Sequence, residues 1–130
     1  MKKLLSLILL VSTVSYSQLR SKVLIHTDTF TVMYSEILEQ PLEVKYVVAC
    51  PEGHVTRKGL EFHKVPGVHT SDNADYSHND YDKGHLAPAA DFKCSEAQME
   101  STFSYLNCSL QNKYLNRGTW KYLEDYERKL

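Results

Sequence analysis

The sequence predicts an α+β fold. Three observations carry this expectation: β-rich segments early in the chain, a polar stretch of about thirty residues in the middle, and apolar residues at helical spacing near the C-terminus. Phe30-Thr31-Val32-Met33-Tyr34 is rich in β-branched and aromatic residues and reads as a strand. Leu42, Val44, Tyr46 and Val48 alternate with Glu43, Lys45 and Val47, the period-two pattern of a half-buried strand. Pro41 stands just ahead of it, where a missing N–H is tolerated. From Cys50 to Tyr81 the chain is polar and aperiodic, with Pro51, Gly53, Gly59, Pro66 and Gly67, and a loop of that length inside one domain points to function. Ser95 with Gln98 three residues on fits a capping box, and Met99, Phe103 and Leu106 come next at i, i+4 and i+7. A second helix is expected from near Lys113 to the C-terminus, with Leu115, Trp120, Leu123 and Leu130 on its apolar side.

With 130 residues, 42% hydrophobic and 11% aromatic, the chain has room for one packed domain, and wholesale disorder is excluded. Met1-Lys2-Lys3, the apolar run Leu4 to Val11, and small residues at Ser15 and Ser17 read as a secretory signal peptide over residues 1–17. Residues 18–130 are then the domain, and the expected location is secreted or periplasmic. The apolar run is shorter than the roughly 20 residues of a membrane span. Cleavage would leave 13 bases against 16 acids, so no global basic field is available to hold a polyanion. Export permits disulfides. Cys50, Cys94 and Cys108 are an odd set; Cys94 and Cys108 flank the first expected helix and could pair, while three buried thiols are the alternative.

Chemistry concentrates in two stretches. The first is Asp82-Lys83-Gly84-His85 with Pro88 after it. His85 carries the one side chain that exchanges a proton near neutrality, Gly84 frees the backbone, and Pro88 stiffens the adjoining turn. The second is Asn116-x-Gly118-x-Trp120-x-x-Leu123-Glu124-x-x-x-Arg128, whose Asn116, Trp120, Glu124 and Arg128 would stripe one side of a helix. A carboxamide oxygen and a carboxylate are hard ligands suited to Mg²⁺, and Arg128 supplies a fork for phosphate. An ordinary amphipathic helix with a Glu124–Arg128 pair is the plainer reading of the same spacing.

Together the two stretches resemble the DNA/RNA non-specific endonuclease family, the ββα-metal nucleases, which carry Asp-Arg-Gly-His before a proline and then the Asn-x-Gly-x-Trp pattern. Asn107 and Gln111 also look like the family's upstream Asn and Gln. The resemblance implies a ββα-metal (His-Me finger) fold built on a central antiparallel sheet with helices, and a Mg²⁺-dependent endonuclease, Mn²⁺ able to substitute, that cuts DNA and RNA without sequence preference. It implies His85 as general base, Asn116 as the one side chain directly on the ion, Glu124 holding water of the ion's shell, and Arg128 steadying the phosphate. Asp82 and Lys83 belong to the catalytic signature; Lys83, Arg57 and Arg128 are the expected substrate contacts. Lys83 replaces the commoner arginine and loses its planar fork.

The resemblance runs over roughly 30–130 and covers about the first half of a family domain, which raises the expectation of a partial domain with apolar edges left exposed. A truncated, inactive remnant that at most binds nucleic acid is therefore the alternative. A zinc protein, prompted by six histidines and three cysteines, lacks the tight ligand pairs such sites use.

Overall fold

The computed structural model describes residues 19–130; the expected signal peptide lies outside the described residues. The alternation seen in the sequence builds an antiparallel sheet in the order β1 (Val23–His26), β2 (Phe30–Ser35), β3 (Gln40–Tyr46). The central strand buries Phe30, Val32 and Tyr34 on one side, against Ala87, Phe92 and Leu106. Thr27 closes the β1–β2 turn, its Oγ1 accepting the Phe30 N–H at 2.9 Å. Pro41 lies inside β3, just past a register shift between Met33 and Tyr34. An edge strand at an irregularity tolerates the missing donor there.

A second, two-stranded antiparallel sheet pairs β4 (Tyr81–His85) with β5 (Cys108–Asn112). Sequence patterning predicts neither strand, because Tyr-Asp-Lys-Gly-His and Cys-Ser-Leu-Gln-Asn show no apolar alternation. Backbone pairing alone makes them strands, and β5 lies against β3, where Leu110 N–H reaches Gln40 Oε1 at 3.1 Å. Gly84 is needed here for space: a Cβ at that position would overlap the Gln111 side chain. The expectation that Gly84 serves an unusual backbone conformation is thus corrected to one of close approach between strands.

Helix α1 (Glu96–Thr102) is capped as expected, Ser95 Oγ accepting the Gln98 N–H at 3.3 Å. It stops before Leu106, which sits in a 3₁₀ turn, Tyr105–Asn107. The buried Asn107 imposes this. Its Oδ1 accepts from Ala87 N–H at 2.7 Å, and its Nδ2 donates to Ala87 O at 2.9 Å and Thr102 O at 3.0 Å. That amide braces the segment just after His85.

The long loop is laced to the rest of the chain. Cys50 N–H donates to Asp91 O at 2.8 Å, Val55 N–H to Lys93 O at 2.9 Å and His63 N–H to Phe103 O at 2.9 Å. Cys50 is disulfide-bonded to Cys94, with Cα atoms 5.7 Å apart, and Cys108 is a buried free thiol. The pairing considered for Cys94 and Cys108 is therefore not formed; β5 carries Cys108 into the core while Cys94 faces the loop. A crosslink spanning 44 residues contributes about 4 kcal/mol in the chain-entropy treatment.

The expected C-terminal helix is broken. A single turn, α2 (Lys113–Leu115), leads into a widened turn over Asn116–Trp120, and α3 (Lys121–Glu127) comes after it. Gly118 departs from helical geometry at φ −114°, ψ −106°. Asn116 and Arg117 are both drawn to Asp82 of β4, and glycine two residues on lets the backbone comply. No helix among the described residues is long and apolar enough to cross a membrane.

Candidate active site

The two motif stretches meet at one cavity of about 830 Å³ between the long loop, β4, α1 and the broken helix. Arg57, Lys83, His85, Asn116, Glu124 and Arg128 all line it. Of the expected site residues only Asp82 stands behind the wall. Six cations (Arg57, Lys83, Lys93, Arg117, Lys121, Arg128) and two acids (Glu124, Asp125) line this cavity in a chain of formal charge −1. A local basic wall thus exists without a basic protein.

His85 ends β4 with its ring between two phenylalanines. Phe62 lies 4.8 Å away between centroids, and Phe103 lies 4.7 Å away edge-on. Nε2 is buried with no hydrogen-bond partner among the described residues. Burial, helped by the nearby Arg57 charge, lowers the imidazole pKa to about 4, so the ring is neutral at neutral pH. The His85 carbonyl accepts from Trp120 Nε1 at 3.2 Å, which joins the strand to the broken helix. That contact gives the Trp of the second motif a structural task.

Asp82 organises the opposite side. Its Oδ2 accepts from Asn116 Nδ2 at 3.0 Å, and the Arg117 fork grips it at 2.8 and 2.6 Å. Hydrogen bonds from Arg117 and then Asn116 hold its carboxyl below the usual aspartate range. With Nδ2 committed, the Asn116 carboxamide keeps Oδ1 free of any protein partner among the described residues. Glu124 has no ion-pair partner among the described residues, and burial pushes its carboxyl up, opposed by Arg128. The Glu124–Arg128 pair of the plainer alternative is not formed: Arg128 instead bonds Asp91 at 2.8 Å and Asp125 at 2.6 Å.

Lys83 is held more tightly than the sequence suggests. Its Nζ bonds Asn73 Oδ1 and lies 5.7 to 5.8 Å from the ring centroids of Phe62, Tyr76 and Tyr105. A compact ammonium suits such a box of aromatic faces. The roles of Phe62, Phe103, Asp91 and Asn73 were all missed by sequence reasoning, and Arg117 was read only as a local base for nucleic acid, not as the partner of Asp82. They act through contacts between distant segments, and none carries a local signature, although Arg117 stands inside the second motif and Asp91 shortly after the first.

An isolated carboxamide oxygen beside a carboxylate fits a hard, hydrated dication. No group of three or more His, Cys, Asp or Glu side chains among the described residues is arranged to hold a metal.

Comparison with known proteins points the same way. The sequence profile of DNA/RNA non-specific endonucleases matches residues 11–130. Mitochondrial endonuclease G of Bos taurus is 38% identical over 81 residues, 60% of this chain and 27% of that protein. Its Homo sapiens counterpart is 40% identical over the same length and shares. Nuclease C1 of Cunninghamella echinulata is 42% identical over 67 residues, 51% of this chain and 27% of that one. A solved EndoG/EndoGI complex, addressing EndoG inhibition, superposes with TM-score 0.71 at 24% identity, over 87% of this chain and 49% of that one. The chain thus spans about a quarter of these curated relatives and half of the solved chain.

Proposed function

The chain belongs to the DNA/RNA non-specific endonuclease family and has its ββα-metal nuclease fold, and from that premise we propose that it hydrolyses phosphodiester bonds of DNA and RNA without sequence preference. The observation that carries the reading is one cavity lined together by a buried, neutral His85, by Asn116 and by six cationic side chains.

In this reading His85 takes the proton from the attacking water. With Nε2 buried, Nδ1 is the nitrogen that receives it. Asn116 Oδ1 would hold Mg²⁺ directly, Mn²⁺ able to substitute, and Glu124 would hold water of its shell. When bound, the dication supplies Lewis-acid stabilisation of the phosphate's developing negative charge. Asp82 fixes the carboxamide so that its oxygen, and not its NH₂, faces the ion. Arg57 and Lys83 contact the incoming phosphate, and Arg128 stabilises the charge that develops on it. Because acids interleave with the bases, binding is weak and salt-sensitive. The mature protein would be secreted or periplasmic; the N-terminal pattern and the Cys50–Cys94 disulfide support export.

A plasmid-nicking assay on the mature chain tests this. Activity that needs Mg²⁺, stops with chelator and is lost in His85→Ala supports it; chelator-insensitive activity, or full activity in His85→Ala, overturns it. The second reading, a non-catalytic relative that only binds nucleic acid, draws on the large apolar side chains exposed on and beside β3 and α3, among them Leu42, Val47, Leu123 and Tyr126. Oligonucleotide binding without nicking would favour it.

A further inference from the structure

We propose that Asp91 is the positioning residue that holds the Arg128 guanidinium at the cavity wall. The proposal rests on the nuclease reading for its consequence, although the clamp itself is independent of it. Asp91 ends the 3₁₀ turn Ala89–Asp91, six residues after His85, and its side chain is fully buried. Its Oδ1 accepts from Arg128 Nη1 at 2.8 Å. Arg128 lines the cavity and Asp91 does not.

Arg128 has two acidic partners, and they are not equivalent. Asp125 sits three residues back, so it travels with α3 and cannot place the helix relative to β4. Asp91 belongs to the His85 segment. Its backbone is held from both sides: its N–H donates to Pro88 O at 3.1 Å, and its carbonyl accepts from Ala49 at 3.2 Å and Cys50 at 2.8 Å, next to the disulfide. The carboxylate is therefore a fixed point, and the guanidinium bound to it inherits that position. A buried carboxylate stripped of its cation is costly, which keeps the pair closed. Asp91 Oδ2 is buried without a partner among the described residues, so Arg128, on Oδ1, is the side chain seen to bind this carboxylate there. The distance between base and phosphate-binding cation is then set by one ion pair.

The test uses the mature chain, Asp91→Asn, Arg128→Gln and the double variant. Two readouts are taken: nicking with Mg²⁺, and the guanidinium NMR signals of Arg128. Asp91→Asn should lower kcat about tenfold with KM nearly unchanged, free the hindered rotation of the Arg128 Nη groups, and cause no further loss in the Arg128→Gln background. Equal loss with and without Arg128, or unchanged Arg128 signals in Asp91→Asn, overturns the clamp. A parent chain with hindered Arg128 signals but no nicking sinks the nuclease reading and leaves the clamp standing. Should Asp91→Asn fail to fold, a folded double variant still supports the pairing, and an unfolded one refutes it.

Discussion

The two walls of the cavity restrain their working groups by opposite means. On the β4 side, His85 lies against Phe62 and Phe103 with no polar partner at Nε2 among the described residues, and desolvation sets its charge state. On the helical side, carboxylates set everything: Asp82 holds Asn116 and Arg117, while Asp91 and Asp125 hold Arg128. The difference comes from what each group must be. A base has to be neutral, and an apolar wall favours the neutral form. In the proposed role, a guanidinium aimed at phosphate is charged in any case and has to be still, and fixed acids around it supply that.

The largest effect expected from disturbing either wall is at the base. His85→Ala should reduce nicking about 10²- to 10⁴-fold, measured on supercoiled plasmid with Mg²⁺. On the other wall, Asp82→Ala releases the Asn116 carboxamide and should lower activity about 10- to 100-fold, with a higher Mg²⁺ concentration for half-maximal rate. An unchanged Mg²⁺ requirement would show that Asp82 does not orient Asn116.

The next effect is on pH dependence. His85 protonates only as pH falls through about 4, so activity carried by the neutral ring persists to that pH and is lost below it. The unfolded ring takes its proton near the ordinary histidine value of about 6.5, so the folded state loses stability as pH falls from there toward 4. Phe62→Ala opens the ring to water and should move the acid limb of the rate profile upward, toward that ordinary value. The smallest effect is at Lys83, whose ammonium is shared between Asn73 and three rings. Lys83→Arg restores the family residue and should change the rate less than about threefold, since one carboxamide oxygen cannot satisfy a five-donor fork. A tenfold gain would mean that the phosphate contact made at position 83 needs the planar fork and that the charge alone serves it poorly.

Much of the candidate site was legible, His85, Asn116, Glu124 and Arg128 from side-chain chemistry and spacing, Lys83 and Arg57 from the family resemblance. His85, Asn116, Glu124, Arg57, Lys83 and Arg128 meet in one cavity, and Arg57, which had the loosest spacing, is close enough to depress the His85 pKa. The helix cap at Ser95 and the β2 strand were legible too, because a cap needs only its own turn and a buried strand carries its apolar residues in the chain. The strands β4 and β5 were not. Their pairing runs through backbone amides, which every residue has, so residue identity says nothing about it. The break at Gly118 was hidden for a related reason: it depends on the pull of Asp82, thirty-six residues upstream, against which a local helical period carries no warning.

The order of residues was enough to say which functional groups the candidate site would gather: the His85 imidazole, the Asn116 carboxamide, the Glu124 carboxylate and a set of cations, in two motifs that resemble those of a known family. Whether the imidazole is neutral, which face of the carboxamide is presented and what steadies Arg128 came from folding. Those properties arise where segments far apart in the chain exclude water together or join their polar groups in hydrogen bonds and ion pairs. Burial and ion pairing belong to the packed arrangement, so no stretch of the chain carries them alone.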